Sequence, residues 1–70
     1  MNAADRFVLD ALRSEVKRLL SECTEAQQAF FLKVFPGGVD AQPEEKLRTA
    51  LGLCERTIAK NMARATVSAA

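Results

Sequence analysis

Pro43-Glu44-Glu45-Lys46-Leu47-Arg48-Thr49-Ala50-Leu51-Gly52-Leu53-Cys54-Glu55-Arg56-Thr57-Ile58-Ala59-Lys60-Asn61-Met62-Ala63-Arg64-Ala65-Thr66, residues 43 to 66, is the stretch whose reading decides the fold. Leu47, Leu51, Cys54, Ile58, Met62 and Ala65 recur at three- and four-residue spacing, so one helix through the whole stretch presents a continuous apolar face. Pro43 suits the start of that helix, and Glu44 and Glu45 place carboxylates over the positive end of its dipole. Gly52 costs about 1 kcal/mol inside a helix and does not force a turn. Unbroken, the helix is about 36 Å long. A compact chain of this length has a radius of gyration near 11 Å, hence a diameter of roughly 28 Å. The helix therefore overhangs its own domain, and a two-fold homodimer is the commonest way to cover such an overhang.

Upstream, Thr24-Glu25-Ala26-Gln27 is a capping box that starts a second helix. Its body carries Phe30, Phe31, Leu32, Val34 and Phe35, a dense apolar cluster that reads as the plug of the core. Pro36-Gly37-Gly38 ends it, and residues 36 to 42 form a loop. The paired glycines lack the Lys-Ser or Lys-Thr of a P-loop, so they read as a turn. Before the cap, Leu9, Leu12, Val16, Leu19 and Cys23 form an apolar seam, widened by Val8 and Leu20, on a first helix with Asp5 early and Lys17 and Arg18 late. Phe7 falls on the back of this helix, where a subunit contact can form. The expectation is an all-α domain over residues 1–70 with helices at about 4–23, 24–35 and 43–66. Two long antiparallel helices are bridged by the short aromatic one, in a homodimer or higher bundle.

Seventy residues bury only about 60% of the surface of the unfolded chain, which leaves a thin stability margin. Metal is not the expected supplement, because there is no histidine and only two cysteines, and no cofactor is expected. Cys23 and Cys54 fall on apolar helix faces and read as buried reduced thiols. The chain shows neither a signal-peptide pattern nor an apolar run near 18 residues, so a cytoplasmic protein without membrane contact is expected. A net charge of +1 gives no global signature of nucleic-acid binding.

Chemistry rests on the sides of the third helix away from its apolar face. Lys46, Thr49, Arg56, Lys60 and Arg64 form a basic stripe. Arg56 and Arg64 can fork onto phosphate or carboxylate, Lys60 adds a point charge, and Thr57 and Asn61 offer neutral hydrogen bonds. With Arg48, these five make the candidate anion-binding set. Gly52, Ala59 and Ala63 form a small-residue strip that, together with Phe7, is the candidate subunit or partner contact. Catalysis is not expected: no histidine serves as a base, no tyrosine as an acid, and Cys54 falls in the core.

Residues Leu47 to Ile58, with Leu51-Gly52 followed by Leu53-Cys54-Glu55-Arg56-Thr57-Ile58, resemble the helix-turn-helix stretch of bacterial regulators. That resemblance implies a turn at Gly52, Arg56, Thr57 and Lys60 in the major groove, and Leu51, Leu53 and Ile58 packed between two helices. In size and layout alone, the chain also resembles accessory proteins of phages and mobile elements, including those that disarm host defence. Three functions follow in order of preference. The first is a non-enzymatic, homo-oligomeric bundle that sequesters a phosphorylated, nucleotide-like ligand or blocks a host protein. The second is a DNA-binding regulator using residues 44–65, and the third a structural assembly adaptor.

Overall fold

A computed structural model describes the backbone of residues 3–69 and the side chains of residues 3–65. Three helices, α1 (Ala3–Ser21), α2 (Glu25–Val34) and α3 (Glu44–Ala69), are joined by a tight turn and by a loop holding a 3₁₀ turn, Val39–Ala41. The fold is all-α, and α1 packs against α3. Gly52 sits inside α3, which runs on without a turn.

The capping box forms as its residue types dictate. The Gln27 amide donates to the Thr24 hydroxyl at 3.2 Å, and the Thr24 amide donates to the Gln27 side chain at 2.9 Å. At the other end of α2, the Phe35 amide donates to the Phe31 carbonyl at 2.8 Å before Gly37 and Gly38 take φ of 89° and 80°. A Cβ on Gly37 would also lie 2.8 Å from that of Ala41, so glycine is required there twice over. The loop is closed by Gln42, a buried side chain whose Nε2 donates to the Pro36 and Gly38 carbonyls, each at 3.0 Å. The Pro43 carbonyl then accepts the Leu47 amide at 3.0 Å as α3 begins.

The long helices do not run antiparallel. Lys17 of α1 reaches Asp40, just ahead of α3, at 2.9 Å, while Cys23, just past the end of α1, meets Cys54, about two fifths of the way along α3. Moving up α1 therefore moves up α3. Gln27, in the first turn of α2, bonds Asn61 still further along α3. The path is up, down, up: α2 is a full return leg and not a bridge. Its ten residues span about 15 Å, enough to bring the chain back to the level of Val16 before α3 starts.

Val16, Leu19, Phe31, Phe35, Val39, Leu47, Ala50 and Cys54 make the core, with Val16 and Leu47 fully enclosed. The Phe31 and Phe35 rings sit 4.8 Å apart and tilted. Only these two rings plug the core; Phe30 is 58% exposed, and Leu32 and Val34 also face outward. Neighbouring residues on a helix diverge by about 100°, so Phe30 and Phe31 cannot both point inward. Val8 and Met62, read as members of apolar seams, are exposed as well. The molecule measures 50 × 22 × 15 Å with a radius of gyration of 13.7 Å, against the ~11 Å of a compact chain.

Candidate functional site

The basic residues divide into those held by acids and those left open. Lys17 binds Asp40, Arg18 binds Glu15 and Glu22, Arg13 binds Asp10, and Arg48 binds Glu44 at 3.6 Å one turn back. The hydrogen bond from Lys17 holds the Asp40 carboxyl below its ordinary range, and Arg18 does the same to Glu15. Arg6, Lys33, Lys46, Arg56, Lys60 and Arg64 are exposed and have no hydrogen bond or ion pair among the described residues, and of these six Arg56, Lys60 and Arg64 stand together. Being four residues apart, they lie on successive turns of one ridge, which spans about 12 Å.

The six residues expected to bind an anion are thus not gathered in one place. Arg48 lies off the ridge and is engaged by Glu44. The Thr57 hydroxyl donates to the Leu53 carbonyl at 2.8 Å. Asn61 faces α2, where its amide exchanges hydrogen bonds of 2.9 Å with the Gln27 amide in both directions. Thr57 and Asn61 therefore fasten α3, while Arg56, Lys60 and Arg64 remain available. Of the expected contact residues, Ala59 and Ala63 are exposed and Gly52 faces open space, whereas Phe7 is 74% exposed on α1.

A feature that periodicity did not reveal is a half-open apolar groove of about 210 Å³ at the junction of the three helices. Leu20 of α1, Cys23 of the turn after it, Ala26, Gln27, Phe30 and Phe31 of α2, and Leu53, Cys54 and Thr57 of α3 line it. It contains no charged side chain, so it offers nothing to an anion. Burial pushes the Cys54 thiol up to about 11 and raises that of Cys23, whose Sγ donates to the Leu19 carbonyl at 3.6 Å. Both thiols are free, buried and protonated at neutral pH, the opposite of an activated nucleophile. Among the described residues, no cluster of histidine, cysteine, aspartate or glutamate could hold a metal ion. No described helix is long and apolar enough to cross a membrane.

Comparison with known protein families, curated proteins and solved structures gives no match.

One signal legible in the sequence sharpens the picture of the ridge. Residues 56 to 70 contain three basic residues and no acidic one, whereas residues 1 to 55 contain seven basic and nine acidic. The near-neutral total thus conceals a chain with a cationic end, the end at which α3 leaves the bundle.

Proposed function

We propose that this chain is a non-enzymatic helical binding protein that grips an anionic partner along the Arg56–Lys60–Arg64 ridge of α3. The observation that carries the proposal is the openness of those three cations on successive turns, in a segment with no acidic residue to neutralise them. Two guanidinium forks and an ammonium suit a row of carboxylates or phosphates. The ridge is convex, while small-molecule sites are concave and enclose most of their ligand. An extended anionic surface, such as the acidic face of a host protein, therefore fits better than a single nucleotide-like molecule. Blocking such a surface is the anti-defence style of action that the size and layout suggest.

DNA binding through residues 44–65 is the second reading. The ridge favours it electrostatically, but the unbroken course of α3 provides no turn at Gly52 for a separate recognition helix. Native mass spectrometry of protein expressed in its host distinguishes these cases. The expected result is a retained acidic protein in the wild type that is lost from the Arg56→Glu/Lys60→Glu variant, with the thermal midpoint unchanged. A retained duplex would favour the second reading. A bare wild-type chain, or the same companion on both proteins, would overturn the proposal.

A further inference from the structure

The apolar groove and the cationic ridge share one side of α3. At about 100° per residue, Leu53 and Thr57, which form the groove's α3 lip, fall within about 60° of Lys60 and Arg64, one and two turns beyond Thr57. The α2 lip, Ala26 and Phe30, shares its side with Lys33 in the same way. Because α2 runs against α3, Lys33 falls at the opposite end of the groove from Lys60 and Arg64. An apolar crevice thus has an open cation at either end. Among the described residues no acid shares either lip. Glu25 and Glu55 lie about 100° or more round their helices, and Glu22, beside Cys23, is engaged by Arg18 at 3.5 Å.

The interior of the groove suits an apolar occupant. Cys23, Phe31 and Cys54 are its buried wall, and the polar groups of its lining are already paired, Gln27 with Asn61 and Thr24 and the Thr57 hydroxyl with the Leu53 carbonyl. An apolar group that enters therefore leaves none of these side chains without its partner. At about 210 Å³ the groove exceeds the ~150 Å³ that holds a benzene ring and falls short of the ~300 Å³ at which small-molecule pockets begin, so it fits one or two large side chains. Phe30, 58% exposed at the mouth, offers its ring to whatever enters.

We propose that groove and ridge together bind an acidic segment of another protein, which seats a bulky apolar side chain in the groove and reaches the ridge with carboxylates on one side of that anchor and Lys33 on the other. The proposal rests on the ridge as an anion-binding surface and names the chemistry of its partner. Charge complementarity selects the occupant, because a neutral or basic segment would leave the cations at both ends unpaired. Concavity selects a protruding side chain over the flat surface of a membrane. The two parts divide the work of binding. Burial of the anchor supplies affinity that salt does not screen, while the carboxylates steer the encounter and weaken as salt rises.

Titration calorimetry of the full chain at low salt tests this with two synthetic peptides, one in which glutamates flank a central Leu-Phe pair and one in which Ser-Ser replaces the pair. Wild type should bind the Leu-Phe peptide about ten- to a hundredfold more tightly, the gain from burying a large apolar side chain. Ala26→Trp, which fills the groove from its lip, and Phe30→Gln, which removes the ring at its mouth, should each bring the two affinities to within about threefold of one another. Both residues are exposed, so neither change removes core packing, and unchanged circular dichroism confirms that the fold is kept. Arg56→Glu/Lys60→Glu should weaken both peptides by at least about tenfold. Equal binding of the two peptides to wild type, or a preference that survives both groove variants, would overturn the anchor while leaving the ridge reading in place. Absence of binding by either peptide, or charge reversal without effect on either, would overturn the ridge reading and this proposal with it. Phosphatidylglycerol vesicles that take up the chain more tightly than the Leu-Phe peptide would assign the surface to a membrane and overturn the proposal as well.

Discussion

Gln42 shows how much a single side chain holds in a chain this small. It lies buried at the entrance to α3, and its amide ties the Pro36 and Gly38 carbonyls into the loop that returns the chain to the bundle. Gln42→Leu keeps the bulk but leaves the Pro36 carbonyl without its donor and the Gly38 carbonyl with only the Ala41 amide, so it should destabilise the fold by about 1–3 kcal/mol, read as a lower urea midpoint. A midpoint equal to wild type would show that water replaces the amide without loss. Cys54 gives the alkaline counterpart. Its thiol titrates at about 11 in the folded chain, above the ordinary 9.0, so the unfolded chain loses that proton first. The stability this contributes is complete below the unfolded value and is lost as pH rises through the folded one. Thermal midpoints should therefore fall more steeply between about pH 9 and about pH 11 in wild type than in Cys54→Ala, and equal slopes would contradict the burial. The burial of the thiols was legible from helical phase. The burial of Gln42 was not, because nothing local separates a glutamine that closes a loop from one that lies on the surface.

At the level of elements, the test falls on Gly52. The residue lies within α3, and a Cβ added there would meet nothing within 4 Å. Gly52→Ala should raise stability by about 1 kcal/mol through helix propensity and a less flexible unfolded chain. If the position were a helix-turn-helix corner, the same change would destabilise. Scanning calorimetry of the two proteins reads the sign directly. Much at this level was readable from the chain: the Thr24 cap, the stop at Pro36-Gly37-Gly38, the start after Pro43 and the unbroken third helix. The relative direction of the long helices was not. Periodicity says which side of a helix is apolar, but only the length of the return leg says where the next one begins, and α2 with its loop returns the chain fully to the level of Val16. The division of the phenylalanines was available from their adjacency, since Phe30 and Phe31 must diverge around the helix.

On the scale of the whole molecule, the same offset that elongates the bundle also sorts its charge. The acids lie within residues 1 to 55, where salt bridges hold Arg13, Lys17, Arg18 and Arg48, and the open ridge stands on the part of α3 that extends beyond α1. A sum over the chain hides this separation. The apolar groove was equally hidden, because it needs three helices to form and no single helix periodicity describes it. The account stands or falls on the ridge as a place where anions are held. Amide chemical-shift mapping of the full chain with inorganic triphosphate at low salt tests that most directly. The account predicts shifts concentrated around Arg56, Lys60 and Arg64, fading as salt rises and absent from a folded Arg56→Glu/Lys60→Glu variant. Shifts spread evenly over Arg6, Lys33 and Lys46 as well, or surviving the double charge reversal, would contradict it.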